Sequence, residues 1–179
     1  PIVNSTIWEG EFAAEDVPDE CKASFVQTVG VISPIKVADG VETYGELEVM
    51  RFIRQMKHQE NNFLLVDSRG SEWYEYETIP GAVNLWYAIL KKPEVFAEEY
   101  AAMLKRIGVT KGSDGTYDCS NAATLLLFCN GPWCGQSPMA IRELLKLGYP
   151  AKKIKWYRGG MHDWKSLSMT TTLSEEEED

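Results

Sequence analysis

The sequence predicts an α/β domain built around a mainly parallel β-sheet. Two short runs, residues 63–67 (FLLVD) and 124–128 (TLLLF), are apolar almost throughout, which is typical of strands buried on both faces. Segments with helical periodicity alternate with these strands, as in α/β domains. The 179 residues fit one domain, and no apolar run approaches the ~18–20 residues of a membrane span.

The first half of the chain begins with an irregular stretch. Residues 1–40, with a turn at Asp39-Gly40, are expected to form an extension packed on the domain, and an extended segment follows the turn. A helix is predicted over residues 46–56, where apolar side chains recur at helical spacing. Its inward face is expected to comprise Leu47, Met50, Ile53 and Met56, with Val49 and Phe52 beside them.

Strand 63–67 is followed by a turn at Pro80-Gly81 and a short extended piece over residues 82–85. A second helix is predicted over residues 93–107, ended by Gly108, and residues 111–121 read as a polar loop. Strand 124–128 leads through residues 129–137, here called the cysteine loop, into a third helix with Ser137 as its N-cap. A strand over residues 154–157 and a segment over residues 161–167 complete a domain spanning residues 41–167. Residues 168–179 are expected to be a flexible acidic tail.

Charge and residue inventory exclude several classes of function. Acidic residues outnumber basic ones by 27 to 18, and more than half of the net charge of −9 comes from residues 175–179. Nucleic acid is not expected as a partner, because phosphate neutralisation needs clustered Lys and Arg. No C-x-x-C pair is present and the two histidines are far apart in sequence, so neither a metal nor another cofactor is expected.

Cys129 lies at the position where chemistry is expected in such a sheet. It directly follows a buried strand and precedes a loop with Gly131 and Gly135, then a helix start. Backbone N–H groups and the positive end of a helix dipole favour a thiolate there. We therefore expect a lowered pKa at Cys129 and a nucleophilic role; the alternative is an inert buried thiol.

Several motifs together resemble the rhodanese-like domain family. The first signature is similar to residues 65–69 (LVDSR) and 79–85 (IPGAVNL), and the second to residues 126–129, 144–148 and 156–164 (WYRGGMHDW). The resemblance covers about residues 45–165 in the family's order. It implies a five-stranded parallel sheet flanked by helices and a catalytic cysteine, here Cys129, that carries a persulfide.

The cysteine loop departs from the common sulfurtransferase pattern. Seven residues separate Cys129 from Ser137, against about five in those relatives, and Thr78 stands where the family usually has His. Phosphatase and arsenate-reductase relatives use an Arg in a longer loop, but no Arg or Lys lies between Cys129 and Arg142. Phosphoryl transfer and capture of thiosulfate are therefore disfavoured. The expected donor is a neutral small sulfur compound or the persulfide of a partner protein.

Cys134 offers a second thiol within the same loop. The short chain between them lets the two sulfurs approach bridging distance, so Cys134 is expected to resolve a persulfide on Cys129. Cys129→Ser then abolishes persulfide formation, and Cys134→Ser changes only turnover. The alternatives are a dithiol–disulfide redox protein, a non-catalytic binding module, and a structural bridge or bystander thiol at Cys134.

The remaining candidates support the site or stay unassigned. The substrate-binding loop is expected to comprise Asn130, Gly131, Pro132, Trp133, Gly135, Gln136 and Ser137. Supporting roles are expected for Asp67, Arg69 and Arg158. Cys21 and Cys119 are candidates for a pair that the sequence cannot assign. Relatives with a similar loop often look exported, and a start at Pro1 is compatible with signal removal, so the expected location is the periplasm, with the cytoplasm as alternative.

Overall fold

The computed structural model describes residues 32–58 and 63–173 as a mixed set of strands and helices. The strands are β1 (Glu42–Tyr44), β2 (Phe63–Asp67), β3 (Glu77–Thr78), β4 (Val83–Asn84), β5 (Thr110–Lys111), β6 (Tyr117–Asp118), β7 (Thr124–Phe128), β8 (Ile154–Tyr157) and β9 (Thr172–Leu173). The α-helices are α1 (Glu46–Met56), α2 (Ser71–Tyr76), α3 (Tyr87–Lys91), α4 (Ala97–Arg106), α5 (Gln136–Lys146) and α6 (Gly160–Ser166). A 3₁₀ turn, Ala151–Lys153, precedes β8.

Five strands form the central sheet in the order β1-β8-β7-β2-β4, and every neighbouring pair is parallel. The predicted fold class is thus confirmed. Because side chains alternate along a strand, each strand contributes to two cores. Leu125 and Leu127 of β7 face the core that α4 and α5 cover, whereas Leu126 and Phe128 face the core that α1 and α6 cover.

Parallel pairing brings the carboxyl ends of β2 and β7 to one edge. Asp67 is paired with Phe128, so Ser68 and Cys129 leave the sheet side by side. The Ser68 amide donates to the Phe128 carbonyl at 3.0 Å, which extends the ladder by one bond. The edge of the sheet that was expected to carry the chemistry therefore holds residues from both strands.

Helix α1 has the predicted bounds but not the predicted buried face. Val49 and Phe52 are its buried residues, whereas Leu47 and Met50 are about half exposed. The expectation that Leu47 and Met50 point inward is wrong. Apolar residues occur all along this helix, so periodicity alone leaves two faces open, and packing on Leu65 and Phe128 selects the one that carries Val49 and Phe52.

Other elements differ from expectation at their ends. The second predicted helix begins only at Ala97, and its buried side comprises Tyr100, Met103 and Leu104. An antiparallel pair, β5 with β6, spans residues 110–118 and so occupies most of the predicted polar loop over residues 111–121. Residues 168–173 are not a free tail, because β9 pairs with β3 and Trp164 Nε1 donates to the Thr170 carbonyl at 2.8 Å.

The remaining parts of the predicted extension and tail lie outside the described residues. These are residues 1–31 and 174–179, and the former include Cys21. Residues 32–40 contact the domain through Ser33, described below. In the part of the chain that the structure describes, no helix is long and apolar enough to cross a membrane.

Candidate active site

The cysteine loop connects β7 to α5 and is anchored by the start of α6. The backbone amides of Met161 and His162 donate to the carbonyls of Cys129 and Asn130, each at 2.9 Å. Gly160 makes this approach possible, since a Cβ at that position would lie 2.2 Å from the Cys129 carbonyl oxygen. Gly160 also has φ +57°, a conformation that favours glycine.

A second anchor comes from the segment before β1. The Ser33 amide donates to the Pro132 carbonyl at 2.7 Å. Arg158 donates from Nε and Nη2 to the Ser33 carbonyl at 3.0 and 2.9 Å. The support expected from Arg158 is therefore indirect: its guanidinium holds Ser33, which in turn holds the loop.

The Cys129 thiol lies inside the protein, against α5. The side chain is 2% exposed, and Sγ lies 3.0 Å from Ser137 Oγ and 3.6 Å from the Cys134 carbonyl oxygen. Burial raises the pKa of Cys129 well above its ordinary value, and the contact with the Cys134 thiol acts in the same direction. The lowered pKa expected for Cys129 is therefore wrong, because the closed loop removes this sulfur from water.

The Cys134 thiol has the opposite electrostatic environment. The hydrogen bond from the Cys129 thiol lowers the pKa of Cys134 to about 6, and the backbone amides of Gln136, Asn130 and Gly131 support this shift. Asn130 Nδ2 lies 3.9 Å from Cys134 Sγ. Three of the backbone groups that were expected to face Cys129 therefore face Cys134, whereas the amide and hydroxyl of Ser137 lower the pKa of Cys129 without offsetting its burial. Both cysteines carry free thiols.

Ser137 serves the thiols instead of capping the helix. Gly135 occupies the N-cap position of α5, so the predicted cap at Ser137 is wrong. Ser137 is fully buried, and its hydroxyl accepts a hydrogen bond from Trp156 Nε1 at 3.1 Å while it contacts Cys129 Sγ. Trp156 on β8 thus fixes the hydroxyl that faces the buried thiol. Trp156, Tyr157 and Trp164 are all buried in the core.

Asp67 and Arg69 form a buried ion pair below the site. Arg69 donates to the Asp67 carboxylate from Nε at 3.0 Å and from Nη2 at 2.7 Å, and it also bonds the Glu77 carbonyl. Thr78, which stands at the family's histidine position, donates from its hydroxyl to the same carboxylate at 2.8 Å. These hydrogen bonds join the end of β2 to β3, and among the described residues none of them reaches the cysteine loop.

An aromatic contact borders the outer side of the loop. The rings of Trp133 and His162 meet edge to face with centroids 4.9 Å apart. Trp133 also lies over Gly131, where a Cβ would come within 2.7 Å of the indole. His162 is half exposed and its Nδ1 lies 2.9 Å from Asp163 Oδ1. Trp133 and His162 thus form an aromatic contact beside Gly131 of the loop.

Sequence reasoning missed one polar residue at this edge. Ser68 is fully buried, and its hydroxyl has no hydrogen-bond partner among the described residues. The side-chain oxygen Oε1 of Gln136 is also buried and also lacks a hydrogen-bond partner among the described residues. The signal that was available for Ser68 is its position directly after Asp67, which parallel pairing places beside the residue after Phe128.

Two other predictions concern the thiol of Cys119 and the absence of a metal site. Cys119, near the β5–β6 hairpin, carries a free thiol whose pKa is raised by burial and by the charge of Asp118. Its pairing with Cys21 is not tested, because Cys21 lies outside the described residues. Within residues 32–58 and 63–173, no group of three His, Cys, Asp or Glu side chains is arranged to hold a metal.

Comparisons with solved structures find related folds. A protein from Bacillus halodurans shares 18% sequence identity at a TM-score of 0.50, over 75% of this chain and 78% of that chain. The rhodanese-like domain of an Anabaena protein shares 15% identity at a TM-score of 0.45, over 78% and 84% of the two chains. A Rhodopseudomonas palustris protein described as a possible tyrosine phosphatase shares 16% identity at a TM-score of 0.48, over 76% and 88%.

A comparison with curated proteins finds no match to the chain. A family model, by contrast, matches most of the domain: the rhodanese-like domain, over residues 51–167. This family has sulfurtransferase members, and other members are phosphatase-like or serve as binding modules. The matched residues include both signatures, the cysteine loop and the anchoring α6. The chain belongs to the rhodanese-like domain family.

Proposed function

We propose that the protein is a sulfurtransferase that carries sulfane sulfur as a persulfide on the cysteine loop and passes it to a thiol or another small nucleophile. The observation that carries this proposal is the presence of two free thiols in one loop at the carboxyl edge of the sheet, one of them with a pKa lowered to about 6. A thiolate present at neutral pH is the nucleophile that sulfur transfer needs.

The reaction consists of two successive exchange steps of the thiol–disulfide type. A loop thiolate attacks the outer sulfur of a donor R–S–SH, a new S–S bond forms, and the donor's S–S bond breaks. R–S⁻ leaves with the electron pair, and the protein becomes a persulfide. An acceptor thiolate then attacks the outer sulfur, takes it as a new persulfide and restores the protein thiolate.

The charges around the loop support an uncharged or protein-bound donor over thiosulfate. No Arg or Lys lies between Cys129 and Arg142. The nearby guanidinium groups are already engaged, since Arg69 binds Asp67 and Arg158 binds the Ser33 carbonyl. A dianion such as thiosulfate therefore meets backbone amides at the loop, but neither of these two arginines has a guanidinium group free to bind it. The same lack of an Arg in the loop argues against phosphoryl transfer.

The same pair of thiols favours a second candidate function. Two free thiols in a loop of this length, one of which lowers the pKa of the other, are suited to a dithiol–disulfide redox couple. This alternative needs no sulfane sulfur and predicts electron exchange with dithiols alone. The periplasmic location expected from the loop stays a prediction, which cell fractionation tests.

Sulfur-donor assays separate the two candidates. The reduced protein is incubated with a small alkyl persulfide, with polysulfide or with thiosulfate, and cyanide serves as acceptor. Sulfur transfer predicts thiocyanate formation that is faster with the first two donors than with thiosulfate, and one added sulfur atom on a loop peptide by mass spectrometry. Disulfide formation without any sulfur adduct or thiocyanate supports the redox couple and rejects the sulfurtransferase.

A further inference from the structure

We propose that Cys134, and not the strand-end Cys129, is the thiol that takes the sulfur, and that Cys129 is a buried donor which stabilises the Cys134 thiolate. This inference rests on the proposed sulfur transfer and assigns its chemistry to particular atoms. It reverses the roles expected from the position of Cys129 after β7.

Cys134 is more exposed to solvent than Cys129, as a role in taking the sulfur requires. Cys129 is 2% exposed and Cys134 is 8% exposed. Cys129 Sγ is enclosed between Ser137 Oγ and the Cys134 carbonyl, on the inner side of the loop. Cys134 is flanked by the partly exposed Trp133 and the exposed Gly135. A donor approaching from solvent therefore meets the Cys134 side of the loop first.

Hydrogen-bond donors also converge on Cys134. Asn130 Nδ2 lies 3.9 Å from its sulfur, and the start of the eleven-residue helix α5 follows two positions later. The loop is tightened by the Cys134 amide, which donates to the Gly131 carbonyl at 2.9 Å. The Asn130 side chain and the amides at the start of α5 stabilise a negative sulfur at Cys134, in agreement with its lowered pKa.

Cys129 is suited to the complementary task of a donor. Its sulfur lies in a buried environment that favours the neutral thiol, and Ser137 holds it through the bond from Trp156. A neutral S–H donates a hydrogen bond to the Cys134 thiolate before the attack on the donor. After the transfer, the same thiol is placed to attack the inner sulfur of the Cys134 persulfide.

That resolving step balances without a further reactant. The Cys134 persulfide and the Cys129 thiol give a Cys129–Cys134 disulfide and hydrogen sulfide, so two protein sulfurs are oxidised while the sulfane sulfur is reduced. An external dithiol then restores both thiols. When an acceptor thiol arrives first, the persulfide is used by transfer and the disulfide does not form.

The first test uses the wild-type protein and needs no sulfur donor. Iodoacetamide alkylation is followed at each cysteine by peptide mass spectrometry across pH. Half-maximal reactivity is expected near pH 6 at Cys134, against about 8.5 for an ordinary thiol. The pH midpoint of alkylation is compared instead of the alkylation rate, because a thiolate of lower pKa is also intrinsically less nucleophilic. A midpoint near 6 at Cys129, with Cys134 behaving as an ordinary thiol, overturns the assignment.

The second test locates the sulfur atom in variants. After treatment with alkyl persulfide, Cys129→Ser is expected to carry the added sulfur on Cys134, and Cys134→Ser to carry none on Cys129. Cys119→Ser, near the hairpin, is the matched control and behaves as wild type. Circular dichroism of each variant verifies folding. An adduct on Cys129 in the Cys134→Ser variant overturns the assignment while it leaves sulfur transfer standing.

The two tests separate the failure of this inference from the failure of the proposed function. A wild-type protein that is alkylated at Cys134 with a midpoint near pH 6 but takes up no sulfur from any donor rejects sulfur transfer, and with it the sulfur-carrying role of Cys134. A wild-type protein that takes up sulfur at Cys129 alone supports the function and rejects the role of Cys134.

Discussion

Replacement of Cys129 by alanine tests how the low pKa of Cys134 arises. The hydrogen bond from the Cys129 thiol is the largest contribution that lowers it, and the backbone amides of the loop add to this. Cys129→Ala removes the hydrogen bond and leaves the amides in place. The pKa of Cys134 is therefore expected to rise, but not to its ordinary value.

The size of the rise follows from the strength of such a bond. A hydrogen bond to a charged acceptor contributes about 1.5–3 kcal/mol, and one pKa unit corresponds to about 1.4 kcal/mol, so the loss amounts to about 1–2 units. Starting from about 6, the pKa of Cys134 in the alanine variant is expected at about 7–8. Since a thiolate forms above its pKa, reactivity at mildly acidic pH falls in the variant.

The assay is the pH profile of alkylation at the Cys134 peptide in wild type, Cys129→Ala and Cys129→Ser. The serine variant keeps a hydroxyl donor at the same position, so its midpoint is expected between those of the other two proteins. Cys119 provides an internal reference, because burial raises the pKa of that thiol. An alanine variant whose midpoint stays near pH 6 refutes the reasoning, because the buried thiol then contributes nothing to the thiolate.

Two further substitutions test the framework of the site. Gly160→Ala places a methyl group 2.2 Å from the Cys129 carbonyl and strains a positive φ, so it is expected to cost about 2–5 kcal/mol in urea unfolding. Gly148→Ala shares the positive φ but meets no atom within 4 Å, and its expected cost is only about 1–2 kcal/mol; equal costs contradict the close approach. Asp67→Asn leaves the buried Arg69 without a carboxylate and is expected to cost about 3–5 kcal/mol, measured in the same way. Glu143→Gln breaks an exposed ion pair and is expected to change stability by less than about 1 kcal/mol, so a similar loss in both variants rejects the role of burial.

The sheet and the place of the site were predictable from local patterns. Apolar runs such as those of β2 and β7 need two covered faces, and this requirement alone indicates a parallel sheet between helices. The motif order then indicated the family and the loop. The bounds of β2, β7 and β8 agreed with expectation because each is a compact apolar run.

Residues whose roles depend on distant partners were predicted less well. Serine is a residue type that often caps helices, but the Ser137 hydroxyl accepts a hydrogen bond from Trp156, which is 19 positions later in the chain. Which face of α1 is buried depends on which side packs against the sheet, and the spacing of apolar residues alone does not determine that side. Tertiary contacts decided both cases over local preference.

The roles of the two cysteines show the same limit within the site. Position after a strand and before a helix indicated an activated thiol, and one is present. Which of the two thiols has the lowered pKa depends on how the loop folds back, because closure buries Cys129 more deeply and brings the amides of Gln136, Asn130 and Gly131 to Cys134. The anchors that close the loop, Gly160 and Ser33, come from segments far away in sequence.

The most direct test of the account is the location of sulfur in the wild-type protein. The reduced chain is treated with a small alkyl persulfide, the remaining thiols are blocked, and the loop peptide is sequenced by mass spectrometry. When the thiols are blocked before Cys129 resolves the persulfide, one added sulfur atom is expected on Cys134, and it is lost on addition of cyanide with formation of thiocyanate. A loop peptide that carries no added sulfur, from a chain that yields no thiocyanate when cyanide is present from the start, contradicts the proposed sulfur transfer.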